Sequence, residues 1–394
     1  MELALKVLIY MDINDLKPVG GPRGYLYNLS IGLKKNAGVY FLNSNALNEE
    51  DSSKSKKLFK KIIPANLWTK MSLFKYINSI IDSDGCESKV DFSNYDAVHF
   101  HSTFDLYKNR NLLKKYNGKI ILTSHSPQAP YLELKDLMIN SNFPNFLIQK
   151  IISKLEKIDI YAFTNCTDII FPCEDAMEPY FNTFKYFKEN YSKLSNKIHF
   201  LLTGINRPTN IKKVNISRSK NGFLVCYIGR HNQVKGYDLL LKAAKKISQI
   251  DSSVEFIIAG KEYPLHSDKK LKNWHELGWT NNPMGIEAAS DLFVLPNRET
   301  YFDLALLEAI SVPSVVLISK TGGNKYFQKF NSKSINFFEP NNVDDLVDKI
   351  LSIKNNVNIS EAKSQNKEIY ENNFTPQIFA KNYIRMVKNI VRKK

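Results

Sequence analysis

In the segment Gly229-Arg230-His231-Asn232-Gln233-Val234-Lys235-Gly236 a guanidinium fork and an ammonium group lie between two glycines, directly after an apolar run. That set suits a diphosphate. Arg offers paired N–H donors and Lys a point charge, while glycine lets the backbone approach closely. Amides at the start of a following helix add a weaker attraction for the same anion. The Gly-Lys-Ser/Thr ending of an ATP-binding loop is absent, and so is the G-x-G-x-x-G of a dinucleotide loop, so ATP hydrolysis and nicotinamide redox chemistry lose ground. The plainer reading is a pair of surface cations after a strand.

A second concentration runs from Asn297 to Ala309, Asn-Arg-Glu-Thr-Tyr-Phe-Asp-Leu-Ala-Leu-Leu-Glu-Ala. Phe302, Leu304, Leu306 and Leu307 supply the apolar part of a helix start. Glu308 sits inside that helix, where its carboxylate could accept both hydroxyls of a ribose or simply face solvent. Glu299 and Thr300 precede the helix, where the backbone amides of Asp303 and Leu304 are free for phosphate or sugar oxygens. Thr321-Gly322-Gly323-Asn324 makes a further loop of ligand-binding composition.

In the first half, Pro18-Val19-Gly20-Gly21-Pro22-Arg23-Gly24 follows a strand and precedes a helix; a tight turn is its plainest reading. His99 and His101 alternate at a strand end and so share a side, and His125 ends the next strand. Any one of them could be a core residue, but two strand ends presenting imidazoles beside a cleft suggest a site. No carboxylate at ligand spacing accompanies them, so no metal site is expected. A G-x-S-x-G nucleophile motif is also missing.

These residues need a scaffold, and short apolar strands alternating with helix-like stretches predict α/β domains with parallel sheets covered on both faces. Strands are expected over 6–11, 39–42, 97–100, 119–123, 160–163, 168–171 and 198–201, and a helix over 25–33. Residues 205–222 lack periodicity and read as a linker. The pattern then restarts, with strands at 223–228, 254–259, 292–295 and 314–318 and helices at 238–250, 284–289, 304–310 and 343–351. Residues 376–394 form an amphipathic helix whose basic residues Lys381, Arg385, Lys388 and Arg392 make one stripe. Such a helix could pack back on the first domain. The expected organisation is therefore 1–208, 209–375 and the basic helix 376–394.

The Gly-Arg…Lys-Gly segment, the segment from Glu299 to Glu308 and the Gly322-Gly323-Asn324 loop occur in the order and separation found in retaining glycosyltransferases of the GT-B class, family 4 (glycosyl transferases group 1), which this chain resembles. The layout of residues 1–375 matches; the specific motifs lie in 223–325. The resemblance implies two Rossmann-like αβα domains facing a cleft. It implies that Gly229, Arg230 and Lys235 hold the donor diphosphate, that Glu308 holds the ribose, and that the turn of Glu299 and Thr300 meets the transferred sugar. By the same resemblance, Gly20, Gly21 and Arg23 belong to the acceptor-side glycine loop, and His125 contacts the donor sugar near its reactive carbon. His101, Gly323 and Asn324 would lie on the sugar or acceptor side. The donor is a nucleoside diphosphate sugar, and basic groups neutralise the leaving diphosphate without an obligatory ion. The family usually places two glutamates with seven residues between them; counting back from Glu308 reaches Thr300, so either residue could meet the sugar.

The chain has 394 residues, enough for two domains, and an apolar fraction of 43% with 24 Phe and 20 Tyr, which excludes a mostly disordered chain. Cys86, Cys166, Cys173 and Cys226 form no metal or disulfide pattern. Neither a signal sequence nor an apolar run of spanning length is found, so a cytoplasmic protein is expected. Lys and Arg number 55 against 39 acids, a formal +16. Residues 54–76 hold seven lysines and no acid among apolar side chains. Their composition suits an anionic membrane surface or a solvated helix face, and nucleic acid is not expected. The resemblance and the charge together favour a glycan acceptor, lipid-linked, in cell-surface polysaccharide assembly. A protein or soluble-oligosaccharide acceptor, an inactive partner subunit and a sugar-nucleotide epimerase are the alternatives.

Overall fold

The computed structural model describes residues 5–18, 21–34, 37–42, 65–216, 222–268, 270–312 and 314–393. Gly20 and residues 54–64 of the basic segment lie outside the described residues. Strands β1 (Val7–Asp12), β2 (Val39–Leu42), β3 (Ala97–Phe100), β4 (Lys119–Leu122), β5 (Asp168–Phe171) and β6 (Ile198–Phe200) form one sheet, ordered β2-β1-β3-β4-β5-β6. Strands β7 (Phe223–Ile228), β8 (Val254–Ala259), β9 (Trp274–Gly278), β10 (Leu292–Leu295), β11 (Val315–Ser319) and β12 (Ile335–Phe338) form a second, ordered β12-β11-β10-β7-β8-β9. Each of the pairs in both sheets is parallel. Helices cover both faces, so β3, β5, β10 and β11 are buried along their whole length, which is why they read as unbroken apolar runs. The result is two Rossmann-like αβα lobes facing a cleft.

One expected strand, 160–163, is instead the end of a helix, Asn145–Asn165. Ile148, Ile151, Leu155, Ile158 and Ala162 are buried at helical spacing, and that longer stripe overrides the local apolar run. Strands β9 and β12 were not among the expected strands. Polar residues alternate along β9, an edge strand, and weaken its apolar signature.

The helix Pro376–Arg392 packs on the first sheet. Phe379, Ala380, Tyr383, Val387 and Ile390 share a buried cluster with Val7, Ile9, Tyr25, Leu26 and Leu29. Its basic residues Lys381, Arg385, Lys388 and Arg392 remain exposed. The two lobes also touch directly: Tyr301 donates to the carbonyl of Ile170 at 3.2 Å, and Lys325 pairs with Glu178.

Candidate active site

The carboxyl ends of β3 and β4 deliver the imidazoles. His99 lies beside Ile9 and Ile121 in the sheet register and is fully buried. Its Nδ1 is 3.1 Å from the Tyr383 hydroxyl, on the C-terminal helix, and its Nε2 is 2.9 Å from Thr123 Oγ1. His101 follows β3, and its Nδ1 lies 2.8 Å from His125 Nε2, so one of these two nitrogens carries the proton. The Tyr25 ring meets His125 edge-on at 4.7 Å. His125 itself sits at φ 58°, a left-handed conformation that turns the chain sharply after β4. Burial pushes His99 and His125 down to about 3 and His101 well below the usual imidazole range. All three are therefore neutral near pH 7 and act as hydrogen-bonding groups. Gly21 caps the Pro22–Gly32 helix, and Arg23 reaches out to Asp15 at 3.5 Å, an exposed contact.

In the second lobe the loop after β7 carries the cations. Arg230 is exposed; Lys235 pairs with the carboxylate of Asp303, which also accepts from Asn297 Nδ2 at 2.9 Å. Burial alone would raise the Asp303 carboxyl, but Lys235 and Asn297 hold it below its ordinary range. Gly236 takes φ 66° at the start of the Tyr237–Ile250 helix, and a Cβ there would sit 1.7 Å from the Pro296 carbonyl oxygen. That close approach brings the loop after β7 against the loop after β10. Arg298 fastens the same junction: its guanidinium forks onto Asp238 at 2.7 and 2.8 Å and reaches the Gln233 carbonyl at 2.5 Å. Thr321 Oγ1 donates to the Arg298 carbonyl at 3.1 Å, so the third loop is tied in too.

Glu308 is half-buried on the Leu304–Ser311 helix, and burial, with Asp303 nearby, raises it to about 7. Asp303 begins this helix without capping it through its own side chain. Phe302 is buried and stacks on Phe327 at 5.4 Å, which leaves its backbone as the part able to meet a ligand. Leu304 is half-buried. Glu299 is half-buried and raised by burial, then by Glu178 and Asp136, two acids of the first lobe, so it faces that lobe. Thr300 is buried, at 2% exposure, and its carbonyl accepts from Gly323 N at 3.2 Å. A Cβ at Gly322 would lie 2.1 Å from the Thr300 carbonyl oxygen and one at Gly323 2.1 Å from that of Tyr301, so only glycines allow this stacking of backbones. Asn324 is buried and donates to the Ser319 carbonyl at 3.0 Å. Gly229 packs its carbonyl against Gly260, where a Cβ would stand at 1.9 Å.

Three acids that the motifs did not point to border this region. Glu133, on the Pro130–Asn140 helix of the first lobe, is raised by burial but pulled back by its Ser126 hydrogen bond and by Arg230 and Lys235, so those cations lie across the cleft from it. Glu178 receives Lys325 from the second lobe. Glu287 lies fully buried on the helix Pro283–Ala289. None is marked by a motif; Glu287 is legible only as an acid within the apolar helix Ile286-Glu287-Ala288-Ala289. Among the described residues, His231, Glu262 and Glu276 form the grouping with metal-type ligand atoms within 4.8 Å. Its His231 Nε2 is 3.3 Å from Glu276, whose other oxygen accepts from Trp274 Nε1 at 3.2 Å. These contacts form a side-chain network beneath the loop that holds Arg230.

Two parallel-sheet lobes, with cations after the first strand of the second and a half-buried glutamate on a helix after its fourth, have the architecture of the GT-B fold. Residues 178–371 match the family model described as glycosyl transferases group 1, and the chain is related to that family. Among curated proteins it is similar to the UDP-Gal:alpha-D-GlcNAc-diphosphoundecaprenol alpha-1,3-galactosyltransferase of Escherichia coli, 29% identical over 194 residues, 45% of this chain and 50% of that protein. The chain thus spans about half the length of the curated relative it matches. Among solved structures it is similar to sucrose-phosphate synthase from Thermosynechococcus elongatus, with a TM-score of 0.63 at 14% identity over 99% of this chain and 100% of that one. It is also similar to Anabaena Alr3699/HepE in complex with UDP and glucose, with a TM-score of 0.59 at 12% identity over 98% and 99% of the two chains. These likenesses are ones of fold, taking in both lobes.

Proposed function

We propose that this chain moves a hexosyl unit from a nucleoside diphosphate sugar, with UDP as the nucleotide, to a hydroxyl of a glycan acceptor with retention of anomeric configuration. The observation that carries this is the position of Asp303: Lys235 pairs with its carboxylate, and the same carboxylate raises Glu308. A phosphate-binding cation and a hydroxyl-accepting carboxylate thus flank one residue, in the order phosphate and ribose follow in a nucleotide. Residues 209–375 form the donor side, 1–208 the acceptor side, and 376–394 the strap between them. Negative charge grows on the β-phosphate as the glycosidic bond breaks. Arg230, Lys235 and the amides of Asp303 and Leu304 stabilise it more in the transition state than before. The departing phosphate takes the acceptor proton on the same face, so no protein nucleophile is needed.

Glu299 rather than Thr300 meets the transferred sugar, since Glu299 faces the first lobe while Thr300 is buried. His125 and His101, being neutral, position sugar hydroxyls from that lobe. The names of the relatives support UDP as the carrier and a diphosphate-linked lipid as the acceptor. An acceptor of that kind is reached at a membrane surface, and the helix Ala65–Ile81 exposes Leu67, Met71 and Phe74 on one face, with Phe146 exposed at the start of the helix Asn145–Asn165. No helix among the described residues is long and apolar enough to cross a membrane.

The test is incubation with UDP-hexoses and their N-acetyl forms together with a polyprenyl-diphosphate-linked GlcNAc acceptor, the product anomer being read by NMR. An α-linked product from an α-linked donor is the expected result. An inverted product, or no UDP release above that of a Lys235→Ala protein, overturns the proposal.

A further inference from the structure

Glu287 is 0% exposed, and neither of its carboxyl oxygens accepts a hydrogen bond from a donor among the described residues. Its backbone is fixed: Ser314 Oγ donates to its carbonyl at 3.1 Å and Ser290 N at 3.2 Å. A carboxylate without donors is not held ionised in such a place, so the group is a neutral acid that needs an acceptor for its own proton. Its helix, Pro283–Ala289, packs against Leu304–Ser311, which carries Glu308. Burial, followed by the charge of Glu308, raises Glu287 well above the ordinary carboxyl range. The other groups around the pair are Asp303, answered by Lys235, and the thiol of Cys226, itself flanked by Lys363 and Asp291.

We propose that Glu287 is the positioning residue of the ribose-binding carboxylate: as a neutral acid it donates its hydrogen bond to Glu308, which keeps Glu308 ionised and turned to the two ribose hydroxyls. This rests on the nucleotide reading of Glu308 given above. Two carboxyls on adjoining helices, each charge opposing the other, hold one proton between them near neutrality, and the assignment of roles follows from depth. Glu287 is sealed, whereas Glu308 is half-buried.

The experiment measures UDP affinity by calorimetry against pH, from about pH 5 to 9, for the wild type and for Glu308→Gln, Glu287→Gln and Glu287→Leu. Wild-type affinity rises with pH as Glu308 ionises. Glu287→Gln supplies an amide donor and keeps that midpoint or lowers it. Glu287→Leu removes the donor, so its midpoint moves up by about one pH unit, affinity near neutrality falls about fivefold, and alkaline pH restores it. A purely structural role would lower affinity equally at every pH. An unshifted midpoint in Glu287→Leu, with Glu308→Gln still defective, overturns this proposal alone. UDP binding indifferent to Glu308→Gln overturns the ribose reading and this proposal with it. Should Glu287→Leu not fold, Glu287→Gln decides through its thermal profile. A neutral buried acid makes wild-type stability fall as pH rises above the unfolded carboxyl range, so the Tm of Glu287→Gln must decline less steeply than that of the wild type between about pH 5 and 9. Parallel declines overturn the proposal.

Discussion

Lys235 has two duties that mutation can separate. In the unliganded protein it neutralises Asp303, which is 12% exposed at its side chain, and in the proposed donor complex it meets the diphosphate. Lys235→Ala should therefore lower stability by about 1–3 kcal/mol, because a largely buried carboxylate loses its cation. It should also lower kcat by roughly 100-fold or more, the usual effect of removing a preorganised charge. Adding Asp303→Asn should recover much of the Tm but none of the turnover; recovery of both would mean that Lys235 acts through Asp303 alone. The histidines give a prediction about pH. Their folded values lie near 3 for His99 and His125, below the ordinary imidazole value of 6.5. A depressed value means that the unfolded chain binds more protons, so stability is full above about pH 6.5 and is lost as pH falls toward 3. A His99→Gln protein, lower in Tm at neutral pH, should lose less per pH unit in that window; equal slopes would contradict the assigned neutrality. Arg230, Lys235 and Glu308 stand out in the sequence as candidates because their chemistry is unusual for their spacing. Asp303 stands out only in part, as a helix start, and Glu133 not at all, since what makes them matter is a neighbour 68 residues away for Asp303 and the opposite lobe for Glu133.

At the scale of elements, the strands nearest the site were readable because parallel strands buried on both faces leave continuous apolar runs, as in β3, β5, β10 and β11. Residues 160–163 have the same local composition but belong to a helix 21 residues long, so a short apolar run does not by itself separate strand from helix end. The amphipathic pattern of the last helix was clear in the sequence, whereas its docking depends on contacts remote in the chain. At Gly32 a Cβ would stand 1.9 Å from the Pro376 carbonyl oxygen, and at Gly204 one would stand 2.6 Å from that of Thr375. Gly32→Ala should force the start of the Pro376–Arg392 helix off the first lobe, lowering Tm by several degrees and opening the C-terminus to limited proteolysis. A Tyr383→Phe protein, which keeps the packing and loses the His99 contact, should cost only about 1 kcal/mol. If Gly32→Ala left protease sensitivity unchanged, the docking of this helix would be looser than its buried cluster indicates.

The whole molecule is strongly basic, at a formal +16, and part of that charge lies in the exposed stripe Lys381, Arg385, Lys388 and Arg392 of the last helix. Binding to vesicles containing anionic lipid should be measurable at about 10 mM salt and much reduced at about 300 mM, as screening shortens the reach of surface charge. Sedimentation that is equal on neutral and anionic vesicles would remove the electrostatic part of that account. The two lobes meet through Tyr301 with Ile170 and Lys325 with Glu178, contacts that put Glu299 opposite the first lobe. The ligand proposed for this cleft has charge at one end and hydroxyls at the other. The most direct test of that central claim is saturation-transfer NMR of the protein against UDP-, GDP- and dTDP-sugars, with an Arg230→Ala/Lys235→Ala protein alongside. The account predicts transfer to the nucleotide and sugar protons of a UDP-sugar, lost in the double variant. Absence of binding to every donor, or binding that survives removal of both cations, would contradict it.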